Sequence, residues 1–372
     1  MKKKVLILGT LHGQNEAIVH LQGKGVTVYA CGHKAEGPGV QTADEFFLAD
    51  ILDPSAIASL AARLKVDCVY SVGSEMAMPT IAAVSARLGL PHFHSEAVTE
   101  TLYRKNLLRE FLGRINLSPV AYRHLASEGD LAGFSAFPAI IKPTDSQGQR
   151  GISRVATAAE APQALAFALA NSKTRKAIIE EWLEGPEFSV HVFVVEGRVE
   201  FFLPSDRIVW QGPLIGIPQA HAMPCRALDP ATETVVRGMV DRFVQALPVR
   251  TGPLYFQMKR TPGGPRIIEV ASRLDGCHLW RLVEFHTGFN LLDACFDYLL
   301  EGRWTPPAPQ RGGPGHTLHF QLADPTQPFH ARNHPLPAGR KILFHEYQVD
   351  EGQCPRSIND VVARVGYYIE ET

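Results

Sequence analysis

The chain has 372 residues, more than the roughly 100–200 of one domain, so two or three domains are expected. Its apolar fraction of 45% and charged fraction of 20% are ordinary for a globular protein, and a net charge of −1 supplies no global field for nucleic acid or an anionic membrane. No stretch approaches the ~20 apolar residues of a membrane helix, and the short run Val5–Leu8 before Gly9 reads as a buried first strand rather than a signal peptide. The six cysteines contain no C-x-x-C pair, which argues against a zinc site or a disulfide framework and fits reduced thiols in the cytoplasm.

Up to about residue 100, short apolar runs alternate with helical patterns. Strands are expected at Lys4–Leu8, Val26–Ala30, Phe46–Leu48 and Asp67–Ser71, and helices at Asn15–Gly23 and Met76–Leu88, the latter stopped by Gly89. The alternation predicts a parallel α/β sheet, with Gly9–Gln14 and Ser71–Glu75 at one rim, where such sheets bind ligands. Gly9-Thr-Leu-His-Gly13 lacks the glycine spacing of a dinucleotide fingerprint.

A helix over Leu102–Leu112 carries Lys105, and Pro119–Leu125 leaves it extended. Strands at Ala139–Lys142, Ile152–Val155 and Ala177–Glu180, with a helix at Glu160–Asn171, make a small α+β unit suited to a lid. Strands at Phe188–Val195, Val199–Phe202, Pro253–Lys259 and Arg266–Val270 follow, with helices at Thr232–Leu247 and Asn290–Glu301. Thr305–Gly315 reads as a linker, and His316–Thr372 as a strand-rich cap with one helix near Ile358–Val365.

Three segments carry chemistry. Lys142 ends an apolar strand and precedes Ser146-Gln-Gly-Gln-Arg-Gly151, a loop in which Ser146, Gly148 and Gly151 can bring backbone N–H groups to phosphate oxygens. In Glu180-Glu-Trp-Leu-Glu-Gly-Pro-Glu187, Glu180 is placed to accept from an adenine amino group, the Leu183 backbone to pair with a ring nitrogen, and Glu187 to take ribose hydroxyls; Glu184 reads as a solvated turn residue. Gln257 and Glu269, near two strand ends, offer the oxygen ligands that magnesium prefers, and Arg273 is placed to neutralise a transferring phosphoryl group. Candidates for gripping substrate are Arg273, Arg207 and His278 on the carboxylate side and Glu75 for an ammonium, with Gly276 a further substrate position, while Trp210, Met223, Cys277 and Trp280 are candidate pocket walls.

The order Lys105, Lys142, glycine loop, Glu180 to Glu187, Gln257, Glu269 and Arg273 resembles the ATP-grasp superfamily over about residues 1–300. The Glu180–Phe188 run resembles the adenosine segment of D-alanine–D-alanine ligases, and Glu269–Gly288 is closer to L-amino-acid (dipeptide) ligases and other carboxylate–amine ligases. The resemblance implies a pre-ATP-grasp, Rossmann-like domain at 1–100, a linker helix and small α+β lid at 101–198, the large ATP-grasp domain at 199–304, and a linker with C-terminal cap at 305–372. It further implies ATP held by Lys105, Lys142, Glu180, Leu183 and Glu187, magnesium (with manganese able to substitute) at Gln257 and Glu269, and catalysis by Arg273 and Lys142. The implied reaction is ATP-dependent joining of a small-molecule carboxylate and amine by a cytoplasmic protein, often a homodimer in related ligases, with no nucleic-acid or membrane partner. Carboxylation through carboxyphosphate and a nucleotide-binding regulator without catalysis are the alternatives. Two positions depart from the family: Gln257 where an acid is common, and Ala271 where many members have Asn, which puts a second magnesium in question.

Overall fold

The computed structural model describes residues 2–146, 148–210, 216–308, 313–358 and 361–372. The first sheet is built from β1 (Lys4–Leu8), α1 (His12–Gly23), β2 (Thr27–Gly32), α2 (Gly39–Thr42), β3 (Glu45–Leu48), α3 (Pro54–Leu64), β4 (Cys68–Tyr70) and α4 (Met78–Leu88). Its strands are parallel in the order β3-β2-β1-β4, as the alternating pattern predicts, and Gly89 closes α4 in the left-handed region at φ 65°. The two expected rim segments meet: Gln14 Nε2 donates to the Val72 carbonyl at 2.5 Å.

The expected single helix over Leu102–Leu112 is instead two, α5 (Glu96–Tyr103) and α6 (Lys105–Arg114). Arg104 breaks them with extended backbone (φ −93°, ψ 115°), because the Lys105 N–H is drawn to the Thr144 carbonyl at 3.2 Å. The break puts Lys105 at the start of α6, facing the glycine loop.

A second sheet, antiparallel in the order β5-β8-β6-β7, contains β5 (Tyr122–Leu125), β6 (Ala139–Pro143), β7 (Ser153–Val155) and β8 (Ala177–Glu181), with α7 (Ala161–Ala170) packed on it through Ala164, Leu165 and Ala168. The third sheet has eight strands, all antiparallel to their neighbours: β9 (Glu187–Val195), β10 (Arg198–Val209), β11 (Pro218–Met223), β12 (Gly252–Thr261), β13 (Gly264–Ala271), β14 (His316–Ala323), β15 (Lys341–Tyr347) and β16 (Ala363–Glu371), ordered β13-β12-β9-β10-β11-β14-β16-β15. Residues after 315 therefore extend this sheet edge to edge through β11 and β14. The helix expected near Ile358–Val365 is not what forms: residues 359–360 lie outside the described residues, and Ala363–Val365 already belong to β16, whose Val365, Tyr367 and Ile369 alternate into the core. Residues 309–312 of the expected linker, and Gln147 of the glycine loop, also lie outside the described residues.

Three further helices cover the large sheet, α8 (Pro230–Ala246), α9 (Leu279–Thr287) and α10 (Leu291–Glu301). Phe243 of α8 packs against Phe111 and Phe256 on one face. On the other, one continuous core joins Val5 and Ile7 of β1 to Trp280, Phe296, Phe193 and Tyr367, so the first sheet is bonded to the large one by apolar burial. Met223 and Trp280, expected as pocket walls, belong to this core. Among the described residues no helix is long and apolar enough to cross a membrane.

A buried ionic cluster ties α6, the small sheet and the large sheet together. Glu180 of β8 takes Arg109 Nε at 2.7 Å and Nη2 at 3.2 Å, and Lys142 Nζ of β6 at 2.7 Å. Arg109, on α6, also donates from Nη1 to the Ile267 carbonyl of β13 at 2.8 Å. Burial alone would raise the Glu180 pKa, but Arg109 and Lys142 overcome it and hold the carboxyl at about 2. A carboxylate with a pKa lowered from 4.5 contributes stability above about pH 4.5 and loses it as pH falls toward 2. Glu180→Gln is expected to cost about 3–5 kcal/mol by urea unfolding at neutral pH, since two buried cations lose their counter-charge. The deficit relative to the unsubstituted protein should shrink as pH is lowered through this window, and a deficit that does not change with pH would contradict the assignment.

Candidate nucleotide and substrate site

The motif residues converge on two adjoining clefts. The first, with about 770 Å³ of space, is lined by Lys105, Ile140, Lys142, Gln149, Ile152, Arg154, Glu180, Trp182, Leu183, Glu187, Gln257, Lys259, Ile268 and Glu269. It lies between the small sheet and the large one, with apolar side chains from both able to sandwich a planar ring. The second, of about 920 Å³, shares Lys105, Gln149, Gln257 and Glu269 with the first and adds Glu75, Ser146, Gly148, Arg207, His221, Arg273, Asp275, Cys277 and Arg364. The clefts meet where Lys105, Gln257 and Glu269 stand.

Within the first cleft the assigned roles shift. Glu180 is committed to Arg109 and Lys142, so the expected adenine contact by its side chain gives way to a different job: it holds the Lys142 ammonium in place. Leu183 presents its carbonyl to Lys259 Nζ at 2.9 Å, and its N–H has no protein partner among the described residues. Lys259 also stands 4.4 Å from the Trp182 ring centroid and 3.6 Å from Glu187, making one wall of charge and aromatic surface. Glu187 is paired with Arg207 and accepts from Gln257 Nε2 at 3.1 Å. Glu184 is exposed, with a 3.6 Å ion pair to Arg154, as a solvated turn residue should be.

The glycine loop closes onto this junction. Ser146 gives its carbonyl to Lys105 Nζ at 3.0 Å, and Gly148 lies under Ile358, with positive φ. At Gly151 an added Cβ would stand 2.6 Å from Asn171 Cβ and 2.7 Å from Pro143 Cγ, so this glycine is needed for close packing of the turn itself.

Gln257 and Glu269 are direct cross-strand partners on β12 and β13. The Gln257 amide nitrogen is taken by Glu187, which leaves its carbonyl oxygen without a protein hydrogen bond among the described residues. Lys105, 3.8 Å away, holds Glu269 below the usual carboxylate range, with Arg273 and Lys142 contributing. This all-oxygen pair fits a hard divalent cation. Ala271, 1% exposed and in the core, offers no third ligand.

In the second cleft Arg273 Nη2 reaches Glu75 at 3.4 Å, while its Nε, like that of Arg364, is buried without a partner. Burial raises the Glu75 pKa to about 7, helped by the charge of Glu269 and opposed by Arg273. Two assignments do not hold. His278 does not line the cleft: its Nδ1 is bonded to Glu16 at 2.5 Å, its Nε2 to Gln348 at 2.9 Å, and its ring stacks on Tyr367. Gly276 also lies outside the lining; its backbone is pressed against Gly73, where an added Cβ would stand 2.8 Å from the Gly73 oxygen. Both are brackets for the loop that carries Arg273. A group of three ligand-type side chains does occur here, Glu16, His278 and Glu346, but Glu16 already accepts from Trp280 at 2.7 Å, Arg281 at 2.9 Å and Tyr367 at 3.1 Å.

Sequence reasoning missed Arg109, Lys259, Arg364 and Asp275. Arg109 lies four residues after Lys105, one turn along the same helix face, and Lys259 two after Gln257 on the same strand face, so both were in reach of spacing arguments. Arg364 arrives from a distant strand and had no local signal.

Comparison with known proteins agrees with this geometry. Residues 135–279 match the description "ATP-grasp domain". The chain is 29% identical over 196 residues to a formate-dependent phosphoribosylglycinamide formyltransferase of Bacteroides thetaiotaomicron, covering 49% of this chain and 48% of that protein. It is 25% identical over 303 residues to dapdiamide A synthase of Enterobacter agglomerans, covering 74% of this chain and 68% of that protein. The match thus spans about half the length of the formyltransferase. The crystal structure of L-amino acid ligase from Bacillus licheniformis superimposes with a TM-score of 0.80 at 18% identity, over 99% of this chain and 93% of that one. Residues 135–279 thus match an ATP-grasp domain, and over 99% of its length the chain shares the fold of the L-amino acid ligase structure.

Proposed function

We propose that the protein is an ATP-dependent carboxylate–amine ligase that forms an amide or peptide bond through an acyl phosphate and releases ADP and phosphate. The observation that carries this reading is the junction of the two clefts at Lys105, Gln257 and Glu269. A nucleotide in the first cleft, its adenine between Ile140 and Ile268 and paired with the Leu183 N–H, would direct its phosphates toward Lys105 and Lys142 and present its terminal phosphoryl group to the second cleft. Both lysines are buried cations, suited to phosphate binding. Magnesium, held by Glu269 and the Gln257 carbonyl, would neutralise phosphate charge. Manganese has the same oxygen-ligand preference and can substitute.

Arg273 and Arg364 each keep a buried Nε–H without a partner, a donor and charge that suit the carboxylate to be activated and, later, the charge on its phosphorylated form. The small sheet, β5 to β8 with α7 over residues 122–181, acts as the lid, its glycine loop covering the junction and keeping water from the acyl phosphate; β9 and α6, expected within a lid at 101–198, belong to the large sheet and its core. The amide-forming assignment also draws on dapdiamide A synthase and L-amino acid ligase among the similar proteins. Carboxylation is the rival, since biotin carboxylase structures share the fold.

The test is ADP release against pairs of carboxylates and amines, with the product identified by mass spectrometry. ADP equimolar with an amide is the expected result. ADP that needs bicarbonate and no amine would favour carboxylation, and tight ATP binding with no ADP from any pair would sink the ligase reading.

Two variants probe the assigned groups. Arg273→Ala is expected to lower kcat about 10²–10³-fold while nucleotide affinity, read by equilibrium titration, is little changed. Gln257→Glu adds a carboxylate beside Glu187 and Glu269, so the apoprotein should melt lower than the unsubstituted protein, and magnesium with ADP should raise its melting midpoint by more. An equal magnesium-dependent rise in both proteins would remove Gln257 from the metal site.

A further inference from the structure

Amide formation needs a group that receives the amine and takes its proton, and the second cleft contains one acid not yet used. Asp275 lies two residues past Arg273, is 7% exposed, and lines this cleft. Its Oδ1 accepts from the Cys277 N–H at 2.5 Å, which fixes the carboxylate on its loop. Among the described residues no lysine, arginine or histidine nitrogen lies within ion-pair distance of Asp275. The other acids of the cleft are committed, Glu75 to Arg273 and Glu269 to Lys105 and the metal position. The loop is also held from outside, by Gly73 against Gly276 and by Glu16 and Gln348 on His278. A mostly buried carboxylate without a cation partner is costly unless a cation arrives.

The charge of Asp275 is felt by Arg207, Arg273, Tyr255 and His191 around it. The remaining charged or titratable groups lining the cleft are Lys105, Glu75, Glu269, His221, Cys277 and Arg364. The cleft thus has arginines for an anion and one rigidly held carboxylate left over for a cation.

We propose that Asp275 is the amine-receiving group of the reaction: it binds the second substrate as an ammonium and removes one proton from it. The proposal rests on the ligase reading. The ammonium gives a proton to the Asp275 carboxylate and becomes a neutral amine. The nitrogen lone pair then attacks the acyl carbon, the C–N bond forms, and the C–O bond to phosphate breaks, with phosphate leaving with that electron pair. The second proton on nitrogen passes to the departing phosphate, leaving a neutral amide. The substrate class is a primary aliphatic amine that is protonated at neutral pH. Sequence reasoning gave the ammonium to Glu75, whose partner in the structure is Arg273.

Asp275→Asn tests this, because an asparagine oxygen can still accept from the Cys277 N–H but cannot take a proton. The two nucleophiles compared are an aliphatic amine and hydroxylamine, which is uncharged at neutral pH and needs no deprotonation before attack. The variant is expected to lose about 100-fold or more in amide formation while retaining hydroxamate formation. Its remaining amide rate should climb with pH as the amine loses its proton in solution, more steeply than that of the unsubstituted enzyme. Undiminished amide formation, or amide and hydroxamate falling together, would overturn the role of Asp275 and leave the ligase reading standing. No hydroxamate from the unsubstituted enzyme with any carboxylate would overturn both.

Discussion

The arrangement turns on one buried carboxylate. Glu180 is nearly solvent-free and lies between two cations contributed by different elements, Arg109 from α6 and Lys142 from β6. Two cations at that depth would carry an uncompensated desolvation cost without Glu180, and the two of them hold Glu180 ionised against its own burial. Arg109 further spends a donor on the Ile267 carbonyl, so the same guanidinium fixes the small sheet against the strand that carries Glu269. Electrostatic compensation of one glutamate thereby sets the distance between the two walls of the first cleft. It also keeps Lys142 poised: an arriving phosphate oxygen can share the ammonium without a fresh desolvation cost, because burial has already removed most of its water.

A second constraint is the separation of charge along the clefts. The nucleotide side is rich in basic groups that already have partners, Lys105, Lys142 and Lys259. Beyond Glu269 the pattern changes, and the Nε–H groups of Arg273 and Arg364, buried without partners, stand with acids close together. In the proposed reaction this suits the order of events, since phosphate charge is met first by the lysines and the reacting carboxylate by the arginines. Glu75 and Glu269 show how tightly this is balanced. Burial, with the charge of Glu269 added, raises Glu75 despite Arg273 and Lys105, whereas Lys105 first, then Arg273 and Lys142, lower Glu269 against its burial.

Much of the fold was legible because its signals are local. Period-two and period-3.6 patterns placed β1 to β4, α4, α7, α8, α10 and, of the large sheet, β9, β12 and β13 near their observed bounds, whereas β10 runs seven residues past its expected end, from Phe202 to Val209, and β11 was not expected. What was not legible depends on partners far along the chain. The break at Arg104 exists because Thr144 accepts from Lys105, and nothing near Arg104 announces it. Ala363–Val365 sits in a strand because β14 pairs with it, although the residues just before it suit a helix. Among site residues the side chains were found but their commitments were not: Glu180 and His278 looked available until Arg109, Lys142, Glu16 and Gln348 were seen to occupy them.

Those commitments explain why the first sheet belongs to the site although it lends few side chains to the clefts. The loop from Arg273 to His278 leaves β13 and must hold a guanidinium and a carboxylate at fixed positions without hydrogen bonds of a regular element. Its rigidity comes from three directions. Gly73 of the first sheet's rim meets Gly276 backbone to backbone, which no side chain at either position would permit. Glu16 of α1 takes His278, whose own backbone is left-handed at φ 59°. Tyr367 of β16 stacks on the same imidazole at 4.6 Å. Strain in one histidine is thus compensated by a hydrogen bond to Glu16, a stacked ring and a hydrogen bond from Gln348. Placement of Arg273 is therefore a property of the first sheet, the large sheet and the C-terminal strands acting together.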